Sequence, residues 1–284
     1  MSRLRSLCVA IALAALCAAP QGAVPAGAGT VRAPERIVRG VYGRDSTTSG
    51  VGLISAAGFD SVTVGPWKED LDALRDAGMR GVVWLWDYDD ATCSFEKDDA
   101  WVRRVVRSIA GHPAILAYQV ADEPSFARVE PGCPRVPEQV RARSDLIHSL
   151  DPGVPTYVVI PTWDGREAYP YQYFAGTTDV MGLDVYPCWH QADECQMEII
   201  DDAIEEADED GVPRYWAVLQ DFDDGWYRSP TAAELDAQFE RWAGSRMEGY
   251  FVYHWNEGGL ESKPDHLAVL AKNNLLNGTL QPER

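Results

Sequence analysis

The chain has 284 residues, 46% of them hydrophobic, and a formal net charge of −19 from 44 acidic and 25 basic side chains. That length can bury one large core. So acidic a chain repels polyanions, which argues against nucleic acid and anionic membranes as partners and places no constraint on a neutral ligand.

Arg3 and Arg5 precede an apolar run from Leu7 to Ala19, and Ala26-Gly27-Ala28 offers an A-x-A cleavage site. This pattern predicts a secretory signal peptide over residues 1–28 and an exported, extracellular mature chain. A membrane anchor is the weaker reading, because the run is shorter than the ~20 residues that cross a bilayer. No later segment could span, so no membrane insertion is expected, and Leu16 before Cys17 argues against lipidation. Cys8 and Cys17 leave with the signal, and the charge of the remainder falls to about −21. Cys93, Cys133, Cys188 and Cys195 stay, which predicts two disulfides in an oxidising compartment. Of the three pairings, Cys188 with Cys195 closes a short loop, and Cys93 with Cys133 joins loops after neighbouring strands; these are the favoured ones. A metal site is the rival for the cysteines, but no CxxC or paired-His spacing supports it, and no cofactor is expected.

Residues 29–36 are rich in Ala, Pro, Gly and Arg and read as a mobile leader, so the folded domain is expected over 37–284. Ile37 to Tyr42 is strand-like. Gly50 to Ala57 supplies one or two helical turns, and Phe59 to Val64 is a second strand. Pro66 opens a helix with Leu71, Leu74 and Ala77 at helical spacing and Gly78 as its C-terminal cap. Met79 to Trp86 is the third strand and ends in an acidic loop with Asp87, Asp89 and Asp90. Asp98 and Asp99 favour the dipole of a helix whose buried stripe is Trp101, Val105 and Ile109. Ile115 to Val120 is the fourth strand, closed by Asp122-Glu123-Pro124, where proline stops the ladder. Pro137 to Leu150 is the next helix, and Thr156 to Ile160 the fifth strand. The tyrosine-rich segment 164–176 that follows is a poor helix. Thr178 to Tyr186 is the sixth strand, Met197 to Asp210 an acidic helix, and Arg214 to Gln220 the seventh strand. Thr231-x-x-Glu234 is a capping box for a helix that buries Leu235, Phe239 and Trp242. Gly249 to Trp255 is the eighth strand, and Pro264 to Leu276 the last helix.

Eight near-continuous apolar strands alternating with helices predict an α/β fold, a single-domain (β/α)8 TIM barrel of about 250 residues. A doubly wound open sheet is the alternative, but the first strand is followed by no Gly-rich phosphate fingerprint. Active sites on such barrels sit at the C-terminal ends of the strands. Those ends carry Asp87, Asp122, Glu123, Asp184, Tyr186, Gln220, Asp221, Trp255, Asn256 and Glu257. Carboxylates can donate a proton to a leaving oxygen and act as nucleophile or base, while aromatic plates stack on sugar rings. Polysaccharide or oligosaccharide is therefore the expected substrate.

With Asp122-Glu123-Pro124 ending the fourth strand, the chain resembles the clan A glycoside hydrolases, whose fourth strand ends in an Asn-Glu-Pro type motif. The resemblance implies Glu123 as general acid/base, Asp122 in the sugar-contacting position of the family's asparagine, and Trp255 as the sugar platform of strand eight. It also calls for a nucleophilic Glu at the end of strand seven, where this chain has Gln220. A neutral amide can neither attack an anomeric carbon nor deprotonate water. Three repairs present themselves. Asp184 can serve, oriented by Tyr186. Asp221 or Asp223 can reach in from beyond strand seven, although alternation turns Asp221 away. Asp122 can orient the acetamido group of an N-acetylated sugar, which then replaces the enzymic nucleophile.

Each of these residues also has a plainer reading. Strand-end acids such as Asp87, Asp90 and Asp164 often cap helices or pair with loop arginines. Trp101 and Trp242 read as core, whereas Trp84, Trp86, Trp163, Trp189 and Trp226 lie near the catalytic face. Alternation points His254 away from Trp255, as a structural histidine, and no serine sits in a nucleophile elbow. The leading expectation is a secreted glycoside hydrolase with Glu123 as acid and Asp184 as second carboxylate. Asp87, Asp122, Tyr186, Gln220, Trp255, Asn256 and Trp86 are the expected substrate contacts. The rival class is a non-catalytic carbohydrate-binding barrel, which Gln220 favours. A metal-dependent hydrolase built on Asp87 and Asp89 stands third.

Overall fold

Eight parallel strands hydrogen-bond side by side into a closed barrel: β1 (Val38–Val41), β2 (Ser61–Val64), β3 (Arg80–Trp84), β4 (Ile115–Ala121), β5 (Thr156–Pro161), β6 (Val180–Asp184), β7 (Tyr215–Gln220) and β8 (Gly249–Tyr253), with β8 closing on β1. In this computed structural model, residues 37–43, 48–124, 133–161, 171–255 and 260–279 are described. The expected signal peptide and leader lie outside them, as do Trp163, Asp164, Asn256 and Glu257. Eight helices follow the strands in turn: α1 (Thr48–Ala56), α2 (Lys68–Asp76), α3 (Asp99–Ile109), α4 (Val136–Leu150), α5 (Tyr171–Phe174), α6 (Glu198–Glu209), α7 (Ala232–Trp242) and α8 (Pro264–Thr279). The fold is the expected (β/α)8 barrel. No described helix is long and apolar enough to cross a membrane.

The core divides as the strand period requires. Val82, Ala117, Tyr157, Val180, Trp216 and Phe251 fill the barrel, while their sequence neighbours Val83, Tyr118, Val158, Met181, Tyr215 and Val252 pack outward beneath the helices. The interior holds several large rings, and glycines make their space. A Cβ on Gly182 would lie 2.4 Å from the Tyr157 hydroxyl, and one on Gly40 would lie 2.3 Å from the Phe251 ring.

Local signals behave as their chemistry predicts, with small shifts. The Thr231–Glu234 capping box is formed, and Leu235, Phe239 and Trp242 are buried on α7. Gly78, at φ +70°, ends α2 with its amide donating to Arg75 O. Asp98 is the N-cap of α3 rather than a first-turn residue, accepting from Trp101 N at 2.7 Å. The fully buried stripe of α3 is Val102, Val106 and Ile109, so Trp101 and Val105 stand to one side of it. After β5 the helix is a single turn, as the tyrosine-rich segment suggested. One unexpected element, a small antiparallel hairpin (Tyr88–Asp89 with Ser94–Phe95), follows β3. Both favoured disulfides are present. Cys93–Cys133 ties this hairpin to the start of α4 with Cα atoms 5.4 Å apart, and Cys188–Cys195 closes a loop after β6.

Candidate active site

The end of β4 is built so that two adjacent acids both reach the cleft. Ala117 faces the barrel interior and Tyr118 faces out, but a bulge between Gln119 and Ala121 breaks the pairing with β5. Val120 and Ala121 consequently both pack outward, and Asp122 turns inward where strict alternation would have sent Ala121. Gln119 Nε2 donates to Asp122 Oδ1 at 3.0 Å and holds it there. Glu123 follows at φ +40°, a left-handed conformation that costs a non-glycine residue about 1–3 kcal/mol and brings a second consecutive side chain to the same cavity. Its amide is fixed by Val159 O at 3.1 Å.

β6 needs no such device. Val180, Gly182, Asp184 and Tyr186 share one parity, with Asp184 at the rim of the interior and only 5% exposed. Asp184 is hydrogen-bonded to Glu123 and to the Tyr186 hydroxyl. Burial raises its pKa well above the ordinary carboxylate value, and the Glu123 charge and hydrogen bond raise it further. Asp122 is displaced in the same direction, from 3.8 to about 8, by burial first and then by Glu123 and Asp87.

The cleft above these groups has two lobes. The larger, about 600 Å³, is lined by Glu123, Asp184, Tyr186, Trp189, Phe222 and Tyr227 among others. The smaller, about 390 Å³, is lined by Trp67, Asp70, Trp84, Trp86, Asp87 and Gln119 among others. Tyr42, Asp122 and Tyr253 border both lobes and mark the waist between them. Exposed tryptophans stand at the outer ends, Trp67 on one side and Trp226 on the other. An extended ligand could therefore lie across the acid pair with rings at either end to stack on.

No protein-family model matches the chain, and comparison with curated proteins finds no significant sequence relative. Its structural neighbours are glycoside hydrolases. A β-glucuronidase of Bifidobacterium dentium superposes with a TM-score of 0.62 at 13% identity, covering 84% of this chain and 46% of its own. A β-galactosidase of the Antarctic haloarchaeon Halorubrum lacusprofundi gives 0.65 at 14% identity, over 87% of this chain and 59% of its own. A β-galactosidase of the psychrophilic Marinomonas ef1 gives 0.58 at 12% identity, over 85% and 59%. The chain thus spans about half the length of these neighbours, and the likeness is one of fold.

Within this glycosidase-like fold, Asp87, Asp122, Glu123, Asp184, Tyr186 and Trp86 all line the cleft. Asp87 is oriented by Trp84 Nε1, which donates to its Oδ1 at 3.0 Å, and Trp86 stacks on Trp84 with ring centroids 5.3 Å apart. Three further strand-end residues, Trp255, Asp221 and Asp223, lie outside the cleft, Asp221 on the side to which alternation turns it. Trp255 is buried in the outer core edge-on to Phe59, while Tyr253 and His254 line the cleft in its stead. The β8 ladder ends at Tyr253, so alternation carries no information beyond it. Asp221 points outward to α8, where it accepts from His266 Nδ1 at 2.8 Å and pairs with Lys263 at 3.3 Å. Asp223 accepts from Ser229 N at 3.2 Å at an exposed turn and does not line the cleft.

Gln220 differs most from its expected place. It is fully buried and spends its amide on backbone, accepting from Cys188 N at 2.8 Å and donating to Cys188 O at 3.0 Å and Arg228 O at 2.9 Å. It is a clamp on the loops that wall the larger lobe, not a wall of the lobe itself. Gln220→Glu should therefore create no strand-seven nucleophile. The variant loses two donated bonds and buries a charge, so a loss of several kcal/mol in chemical denaturation with no gain in turnover is expected. Of the metal readings, Asp89 closes a local turn with Ala91 N and Thr92 Oγ1. Among the described residues, the His/Cys/Asp/Glu trio spaced for a metal is Cys188, Cys195 and Glu234, whose sulfurs are bonded to each other and whose carboxylate pairs with Arg228.

Proposed function

We propose that the chain is a secreted glycoside hydrolase of the clan A type, acting on an extracellular or cell-wall glycan, with Glu123 as general acid and Asp184 as the second carboxylate. The supporting observation is the hydrogen-bonded Glu123–Asp184 pair facing a cleft walled by aromatic rings. Glu123 is the member of the pair exposed to the ligand, where a general acid has to stand. It protonates the leaving glycosidic oxygen, and Asp184 then acts as nucleophile or as base toward water. Retention needs the two carboxyls about 5–5.5 Å apart and inversion about 6.5–9.5 Å.

A panel of neutral and N-acetylated glycans tests the reading. Release of reducing ends is expected, with the activity falling at a pH above the ordinary carboxylate range, and the first-formed anomer seen by NMR assigns retention or inversion. Binding without turnover across the panel would instead make the chain a carbohydrate-binding barrel, the reading that the absence of a strand-seven carboxylate favours.

A further inference from the structure

One wall of the larger lobe comes from two loops that are fastened to each other, 187–195 after β6 and 221–229 after β7. The Cys188–Cys195 bond closes the first loop, and Arg228 of the second reaches across it. The Arg228 amide donates to Cys188 O at 3.1 Å, and its guanidinium donates to Ala192 O at 3.4 Å and Asp193 O at 3.3 Å and pairs with Glu234 at 2.6 Å. Trp189 and Tyr227 form an antiparallel bridge between the loops, with ring centroids 4.5 Å apart. Trp226 stands at the tip of this assembly. Asp224 Oδ1 accepts from the amides of Trp226 and Tyr227, both at 2.7 Å. From the other loop, His190 N donates to Trp226 O at 3.0 Å and His190 Nε2 donates to Asp224 O at 2.8 Å. The backbone that carries the indole is thus bonded from both loops, yet the side chain is 68% exposed, at the lobe that also holds Glu123 and Asp184. A large apolar ring held out to solvent on fixed backbone can bind with little further ordering, which is how a preorganised contact gains affinity. The flat face of an indole suits the C–H face of a sugar ring.

We propose that loops 187–195 and 221–229 form a distal subsite for a sugar unit removed from the one being cleaved, with Trp226 as its stacking platform beside Trp189. This rests on the reading of the cleft as a glycan site, and it narrows the substrate to chains long enough to reach from Glu123 to Trp226.

The test uses β-1,4-linked oligomers of glucose and of N-acetylglucosamine, from two units to six. Calorimetric titration into the full chain at pH 7 is expected to show affinity rising with length in at least one series, by about tenfold or more from the shortest oligomer to the longest. Trp226→Ala should remove most of that rise, so that its loss is larger for the longest oligomer than for the shortest, and Trp226→Phe should keep most of it. Because the indole is exposed, neither substitution should move the unfolding midpoint. A loss equal at every length, affinity that does not depend on length, no binding in either series, or a Trp226→Ala protein that keeps the rise overturns the proposal. Length-dependent binding that Trp226→Ala removes, with no cleavage of any oligomer, supports the subsite while refuting hydrolysis. Cleavage without length dependence does the reverse.

Discussion

Glu123→Gln is expected to lower turnover on any glycan the wild type cleaves by about a thousandfold or more, with the unfolding midpoint equal or slightly higher. The magnitude follows from removing a positioned general acid, which contributes roughly 10²–10⁴ in rate. The stability result follows from where the side chain sits. Glu123 is exposed, so the isosteric amide costs little, and it removes a negative charge that now presses on both Asp184 and Asp122. Because the Glu123 charge and hydrogen bond are causes of the raised Asp184 pKa, residual activity in the variant should lose its high-pH limb as well as its rate. A variant that keeps more than about a tenth of wild-type kcat/KM, with the pH profile unmoved, would take Glu123 out of the chemistry.

Asp122→Asn should stabilise the protein at pH 8 and not at pH 4. The folded pKa of Asp122 is about 8 against an ordinary 3.8. Below about pH 4 both folded and unfolded chains carry the proton, and the group has no effect. Between about 4 and 8 the folded chain retains a proton that the unfolded chain has lost, so stability falls as pH rises through that window. Above it, the folded state bears the full cost of a half-buried carboxylate beside Glu123 and Asp87. Asparagine keeps the acceptor for Gln119 and removes the titration. Solvent reaches Asp122 in part, so the gain is about 1–3 kcal/mol rather than the full pKa difference. Thermal melts of both proteins across pH 4–9 measure it directly. Parallel curves would show that Asp122 ionises normally in the fold.

The barrel was legible because each strand is an apolar run buried on both faces, and the caps and glycines between runs have local causes. The place of Asp184 was legible for the same reason, since parity and strand end position it, whereas Asp122 and Glu123 reach the cleft together only through the β4 bulge and the left-handed turn at Glu123. What lay beyond the ladders was not. The loss of alternation after Tyr253 exchanged the places of His254 and Trp255. The aromatic walls from Trp67, Phe222 and Tyr227 come from loops whose paths are set by tertiary contacts such as the Cys188–Gln220–Arg228 clamp. Tyr42 and Tyr253, the waist of the cleft, could have been found: each continues the inward parity of its strand, Tyr42 after Val38 and Gly40, Tyr253 after Phe251.

The bulge in β4 means that the site depends on local strand register as well as on residue types. The same residues without the bulge would preserve every acid, every aromatic ring and nearly every barrel contact, yet strict alternation would present the cleft with the methyl group of Ala121 and send the Asp122 carboxylate outward under the helices. Such a chain would look intact to any comparison that scores residue identities. For chains with this Asp-Glu-Pro ending, a bulge in the strand before it is the feature to check first when deciding whether the barrel is armed or silent.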